Sequence, residues 1–139
     1  MIVKTTLKDN SAELKEKVAV FADALMGLMA AGIDSRMKTG GEVPFLPKST
    51  KWAQRGALRS SIRHNKLAPG RYEVTVGQNS PAEAYAGVQE AGEARGRTFK
   101  NYSTPGTGAH FFQHAVDATK EKAIEYIRAA QDAAGMRGL

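Results

Sequence analysis

The chain has 139 residues, enough for one domain with a modest core, and 42% of them are hydrophobic and 24% charged, as in ordinary soluble proteins. There is no cysteine, which excludes disulfides, thiolate zinc sites and a cysteine nucleophile. No uninterrupted apolar run approaches the roughly 20 residues of a bilayer span, and no signal-peptide core opens the chain, so we expect a cytoplasmic origin without membrane contact.

The net charge of +6 is concentrated in residues 43–72, which contain seven basic residues and no acidic one. The preceding 42 residues are balanced, and residues 73–139 carry a net charge of −1. Such a stretch suits an anionic partner, either nucleic acid or an acidic protein face, but it also suits a solvated loop that lacks acids. The basic residues are Lys48, Lys51, Arg55, Arg59, Arg63, Lys66 and Arg71.

The first predicted element is a long amphipathic helix over residues 10–38, capped by Asn10 or Ser11. Gly40 and Gly41 end it, and a loop is expected over residues 39–50. The helix is predicted from apolar residues at steps of three and four: Leu14, Val18, Phe21, Leu25, Leu28, Met29 and Ile33.

A short helix is predicted next, over residues 50–62. It would place Trp52, Leu58 and Ile62 inward. Its steps of four would stack three arginines along one face, where they could bind phosphate or an acidic protein or could simply face solvent: Arg55, Arg59 and Arg63.

A hairpin should follow this helix. Residues 71–78 alternate apolar and polar side chains, which predicts a strand, and Ala68-Pro69-Gly70 before them predicts a turn. An earlier strand near residues 61–67 would complete the hairpin. The pattern of residues 85–91 leaves a short strand and a helical turn equally open.

The last third of the chain contains a long basic loop and a helix. Residues 92–108 are predicted to be the loop, with room for a β-excursion around residues 98–103, and they contribute Arg95, Arg97 and Lys100. Residues 109–134 are predicted to form a second long helix, followed by a frayed tail at 135–139. Its apolar stripe comprises Phe112, Val116, Ala123, Ile124, Ile127 and Ala130.

Together these elements predict an α+β fold in a single domain over residues 1–139. Two long helices, one at each end of the chain, would pack on a small, mainly antiparallel sheet with long loops.

Residues that could perform chemistry are sparse. His110 and His114 share a helix face and could hold a metal, yet the glutamate of the zinc-protease pattern is replaced by Phe111. Glu90 lies among small and apolar residues, where it could form an ion pair with an arginine of the basic stretch, within or between subunits, or remain a surface carboxylate. No serine elbow or phosphate loop is present, so we expect neither enzymatic activity nor a cofactor.

Three segments, in order, resemble a family of bacteriophage structural proteins, the tail-completion or neck proteins of long-tailed phages. They are Arg55-Gly-Ala-Leu-Arg-Ser-Ser-Ile62, Tyr85-Ala-Gly-Val-Gln-Glu-Ala-Gly92 and Gly108-Ala-His-Phe-Phe-Gln-His-Ala-Val116. In that family the first segment follows a long helix, the second is a Tyr-Ala-x-x-x-Glu-x-Gly segment, and the third begins the last helix. The resemblance covers residues 10–130.

The resemblance implies a virion structural protein at the head–tail junction, assembled in the host cytoplasm. Such proteins form a homo-oligomeric ring, usually a hexamer, that joins the connector or adaptor to the tail tube. The partners would be other copies of this chain, the connector and the tail-tube protein, with non-specific contact to DNA in the channel. Interface or channel residues would be the seven basic residues of 43–72 together with Glu90, Arg95, Arg97 and Lys100.

Two other functions remain open on the sequence alone. The basic stretch could make the chain a small nucleic-acid-binding module, although aromatics such as Trp52 are few there. His110 and His114 could belong to a metal-dependent enzyme.

Overall fold

A computed structural model describes residues 11–39, 57–94, 96–98 and 109–136. The chain has the predicted α+β fold, in which one long N-terminal helix carries a small antiparallel hairpin and two C-terminal helices. Residues 40–50 and 99–108 of the predicted long loops lie outside the described residues, as do residues 51–56 of the predicted short helix and residues 137–139 of the expected frayed tail.

The first helix, α1, spans Ser11–Thr39 and confirms the prediction from periodicity. Its two halves differ in burial. Nine of the ten residues from 11 to 20 are exposed, and the buried residues all lie in the C-terminal third: Ala30, Asp34 and Met37. The predicted apolar stripe is therefore covered only in part, since Leu14 is 53% and Val18 47% exposed.

The predicted hairpin is present. Strand β1 spans Arg63–Ala68 and strand β2 spans Arg71–Thr75, paired antiparallel with an irregularity near the turn. Gly70 takes a positive φ of 73° in that turn, a conformation that glycine adopts without steric cost. The hairpin lies on α1, and Tyr72 of β2 packs over Gly27, where an added Cβ would come within 3.0 Å of the tyrosine oxygen.

The short helix before the hairpin ends earlier than predicted. Helix α2 spans Ala57–Ser60, and the chain then turns into β1, so Arg63 lies on a strand and the predicted stack of Arg59 with Arg63 on one helix face is wrong. The turn has a local cause, because the Ser61 hydroxyl donates to the Leu58 carbonyl at 2.6 Å and accepts from the Gly77 N–H at 2.7 Å. A side-chain bond of this kind competes with helix continuation.

The ambiguous segment after the hairpin is helical. A 3₁₀ turn at Pro81–Ala84 is capped by the Ser80 hydroxyl, and helix α3 spans Ala86–Ala91 and ends at Gly92 in the left-handed conformation. The chain then forms a two-residue ribbon, β3 at Glu93–Ala94 and β4 at Arg97–Thr98. The β-excursion expected around residues 98–103 shares Thr98 with this ribbon, and residues 99–103 lie outside the described residues.

The C-terminal helix is interrupted, contrary to the prediction of one continuous element. Helix α4 spans Phe111–Glu121 and helix α5 spans Ala123–Ala133. At Lys122 the backbone N–H bonds to the Thr119 carbonyl at 3.1 Å, three residues back, so the last turn of α4 tightens. The Thr119 hydroxyl also bonds back to the Ala115 carbonyl at 2.8 Å, a contact that bends helices.

The inward face of these helices differs from the predicted stripe. Ile124 is 65% and Ile127 36% exposed, so these two members of the predicted stripe do not enter the core. The Tyr126 hydroxyl accepts a 2.5 Å hydrogen bond from Arg36 of α1. The same arginine donates to Thr119 at 3.3 Å, which ties both C-terminal helices to α1.

The core lies where α1, α2, the segment after the hairpin and α4 meet. Its large members are fully buried, and partly buried side chains of β2 and α4 pack against them. The core consists of Met37, Leu58, Ile62, Ala82, Ala86, Phe111, Ala115 and Ala118. Four of the eight are alanines, which allows the helices to approach closely. Phe111 is the largest of the fully buried side chains and therefore contributes most to the buried apolar volume.

Helix α1 is long and apolar enough, by length and composition, to cross a membrane, a test that core helices of soluble proteins and signal sequences also pass. Only 11% of its most apolar stretch is buried. Asp23 and Asp34 interrupt that stretch, and each bonds to the hairpin. We therefore interpret α1 as a packing helix with an exposed apolar face.

Replacing Phe111 with alanine is expected to lower the free energy of unfolding by about 3–5 kcal/mol, because it empties the centre of an alanine-rich core. Urea unfolding followed by circular dichroism measures the change. The matched control is Ile124→Ala on α5, which should change it by less than about 0.5 kcal/mol because the side chain is 65% exposed. Equal losses in the two variants would contradict this assignment of the core.

Candidate assembly surface

The three segments singled out in the sequence meet in one place. Leu58 and Ile62 of the first, Ala86 of the second, and Phe111 and Ala115 of the third all belong to the same buried cluster. Their apolar residues therefore build the core. The surfaces available for contacts with other molecules must come from the residues around it.

Glu90 joins the second segment to the third. Its two carboxylate oxygens accept backbone N–H bonds from Phe112 at 2.8 Å and Gln113 at 3.1 Å, at the start of α4. Its carbonyl accepts from the His110 N–H at 2.8 Å. The carboxylate thus satisfies the free N–H groups of a helix start and lies at the positive end of the helix dipole. The partners of Glu90 are thus backbone N–H groups, which were not expected from the sequence. An ion pair of Glu90 with an arginine, within or between subunits, stays a prediction.

The second segment is tightly packed around its first residues. Burial raises the pKa of the Tyr85 hydroxyl. Gly77 has a φ of 84°, and a Cβ there would come within 2.7 Å of the Ala86 Cβ. The chain can pass this point only because residue 77 has no side chain.

An aspartate of α1 holds the turn of the hairpin. Asp23 accepts the Gly70 N–H at 2.8 Å and forms an ion pair with Lys66 at 3.0 Å. The Gly70 hydrogen bond and then Lys66 lower the pKa of Asp23 below its ordinary value of 3.8, and the Asp23 contact raises the pKa of Lys66. Lys66, predicted as an interface cation, is therefore engaged within the fold.

A second aspartate of α1 holds the other end of the hairpin. Asp34 is buried, and its carboxylate lies 2.5 Å from His64 Nδ1 and 2.9 Å from Lys38 Nζ. These contacts were missed from the sequence, because 30 positions separate Asp34 from His64 and no spacing rule connects them.

The basic residues do not form one patch in the part of the chain that the structure describes. Arg63 pairs with Thr75 at the open end of the hairpin, and Arg71 pairs with Ala68 at the turn. Both arginines are exposed and Arg59 is half-buried. Arg97 is exposed on β4. The remaining predicted cations lie outside the described residues: Lys48, Lys51, Arg55, Arg95 and Lys100.

The two histidines considered for metal binding sit at the start of α4. The His110 and His114 rings are 6.4 Å apart and perpendicular. Within the described residues no group of three histidine, cysteine or acidic side chains could hold a metal ion. His64, the third histidine, faces Asp34 instead.

Among the described residues, α1 contributes to two exposed apolar surfaces. The first, which we name the arm, is the N-terminal part of the helix with Leu14, Val18 and Val20, each at least 43% exposed. The second, which we name the groove, is an open cleft of about 290 Å³ between α1, β2 and α4. It is lined by Met26, Met29, Ala30, Ile33, Tyr72, Val74, Phe112, Val116 and Lys120. Periodicity identified Leu14, Val18, Met29 and Ile33 as part of an apolar stripe, but it did not include Val20 or Met26 and did not show which residues stay uncovered.

Comparisons with known proteins give no family for this chain. No protein-family model, no curated protein and no solved structure matches it.

Replacing Glu90 with alanine is expected to lower the free energy of unfolding by about 1–2 kcal/mol, because the N–H groups of Phe112 and Gln113 lose their acceptors. Glu90→Gln keeps one acceptor oxygen and should lose less. Thermal unfolding measures both, with Glu83→Ala as the control on an exposed acid of the preceding turn. A loss no larger than that of the control would contradict the capping role.

Replacing Asp23 with asparagine should destabilise the protein at neutral pH and have little effect in acid. The folded-state pKa of Asp23 is lowered, so its contribution is present above 3.8 and is lost as the pH falls through the folded-state pKa. Urea unfolding of wild type and variant between pH 7 and strong acid should show the gap in stability closing. Glu73→Gln on the same hairpin controls for general acid effects. A gap independent of pH would contradict the Asp23 contacts.

Proposed function

We propose that this chain is a virion structural protein at the head–tail junction of a long-tailed bacteriophage, a ring-forming neck or tail-completion component that joins connector and tail tube. The observation that carries the proposal is how the three segments that resemble the phage family pack together. They are scattered over residues 55–116, yet their apolar residues pack into a single core, and Glu90 bonds the second segment to the third. Segments that serve as a common framework fit an assembly subunit.

The exposed surface supports the same proposal. Leu14, Val18 and the methionines of the groove expose apolar area to water, which is unfavourable for an isolated subunit. A ring needs a heterologous contact, in which one surface of each copy meets a different surface of the next. The arm and the groove are two such surfaces.

The alternative, a small nucleic-acid-binding module, has less support. Arg63 and Arg71 lie at opposite ends of the hairpin, roughly 17 Å apart at the rise of a strand, and Lys66 between them is paired with Asp23. Cations placed in this way in the part of the chain that the structure describes fit weak, salt-dependent contact with DNA in a channel better than a binding site.

The proposed function is tested in the phage genome that encodes the chain. A nonsense mutation in its gene should yield filled heads and finished tails that fail to join, and adding the purified protein should restore joined particles in electron micrographs. Purified Ile124→Ser, altered at an exposed position outside arm and groove, should restore joining as well as wild type. Joined, infectious particles that lack the protein would refute the proposal.

Titration with DNA distinguishes the proposed channel lining from the alternative, a nucleic-acid-binding module. Binding to duplex DNA that weakens steeply with salt and ignores sequence agrees with a channel lining. Tight, sequence-selective binding by the monomer would favour the nucleic-acid-binding module.

A further inference from the structure

Strand β1 is the outer strand of the hairpin. Within the described residues β2 is the only strand that pairs with it, so its other edge carries backbone groups without a strand partner. In an antiparallel pair every second residue points its N–H and C=O groups away from the partner strand. Residues 63–67 are all exposed, so another chain can reach these groups. We name the outer side of residues 63–66 the β1 edge.

The β1 edge is held in place by α1. His64 Nδ1 lies 2.5 Å from the buried carboxylate of Asp34, and Lys66 Nζ lies 3.0 Å from that of Asp23. The two contacts fix both halves of a four-residue edge on one helix. A strand that adds to this edge would lose its own conformational freedom but would not have to order the edge, which favours its binding.

The side chains of the β1 edge alternate between two faces. Because His64 and Lys66 point to α1, Arg63 and Asn65 lie on the opposite face. The aspartates of α1 offset the inner cations, whereas Arg63 is exposed and forms no ion pair within the described residues. Arg63 is therefore the charge that this edge presents outward.

The charges of β1 decide what kind of strand can pair with it. The strand contains Arg63, His64 and Lys66 and no acidic residue, and it lies within residues 43–72, which have seven basic residues and no acidic one. A second copy of β1 would bring the same cations against these, and like charges across strands are destabilising. Charges of this kind protect edge strands against pairing with copies of themselves. An acidic strand meets no such repulsion.

We propose that the β1 edge binds an extended acidic segment of another protein by strand addition, with backbone hydrogen bonds along residues 63–66 and a carboxylate beside Arg63. In this mode of recognition the backbone bonds supply affinity and the side chains supply selectivity. The inference goes beyond the proposed function and does not rest on it, because the contact needs only one subunit of this chain.

The test selects binders of the purified full-length chain from a displayed library of random ten-residue peptides. The selected peptides should be rich in aspartate, glutamate and β-forming residues, with at least four consecutive positions free of proline. The strongest binder is synthesised and titrated into ¹⁵N-labelled protein. The amide signals of residues 63–66 should shift, and some of these amide hydrogens should exchange more slowly in the complex.

Variants of the chain and of the peptide separate charge from backbone pairing. Arg63→Glu should weaken binding of the selected peptide at least about tenfold, and a peptide with lysine in place of its acids should prefer this variant to wild type. Arg97→Glu, at an exposed arginine on β4 outside the hairpin, is the matched control and should bind as wild type does. Methylation of alternate backbone nitrogens of the peptide should abolish binding. Circular dichroism confirms that each variant is folded.

Several results would overturn the inference. A library that yields no binder would do so, as would binders whose contacts lie outside residues 63–66. A peptide that binds equally well after backbone methylation would show that charge alone holds it. Duplex DNA that shifts the amide signals of residues 63–66 at lower concentration than the selected peptide would assign the β1 edge to nucleic acid. A dimer joined through two β1 strands would assign it to a second copy.

Discussion

The fold depends on the fixing of the hairpin to α1 at two points. Asp34 holds His64 and Asp23 holds the turn at Gly70. These aspartates are 11 residues apart on the helix, roughly 17 Å at the helical rise, and the strand positions they hold are six residues apart, roughly 20 Å. The near match sets the register of the hairpin on the helix. That register places Tyr72 over Gly27 and Val74 against the core.

Sequence periodicity predicted the elements whose apolar pattern and turn residues agree. α1 and the hairpin follow from steps of three and four and from alternation around Pro69-Gly70. The break at Lys122 could not be predicted in this way, because residues 109–134 contain no glycine or proline and the cause is a tightened turn after Thr119. The exposure of Ile124 was missed for a different reason, because the buried face runs through Thr119, Tyr126 and Ala130 and leaves Ile124 outside it.

The candidate surface was predictable only in part. The apolar residues of α1 are visible in the sequence, but the burial of Met37 and the exposure of Leu14 depend on where the other elements end. The role of Glu90 depends on a contact across 22 positions, with the N–H group of Phe112. The small and apolar residues next to Glu90 in the sequence indicated a partly buried carboxylate that needs a partner. Only the packing of the second segment on α4 shows that backbone N–H groups serve as that partner.

The arm is the part of α1 with the least tertiary support. Short helices without tertiary contacts are marginal in water, and most helical stability in proteins comes from packing of an apolar face. The arm avoids the cost of nucleation, because it continues a helix that the aspartates and Tyr126 hold in place. Its own apolar face nevertheless remains uncovered at Leu14 and Val18. The N-terminal turns of α1 should therefore be the least stable part of the helix, because they gain the continuation of a formed helix but little burial of their own.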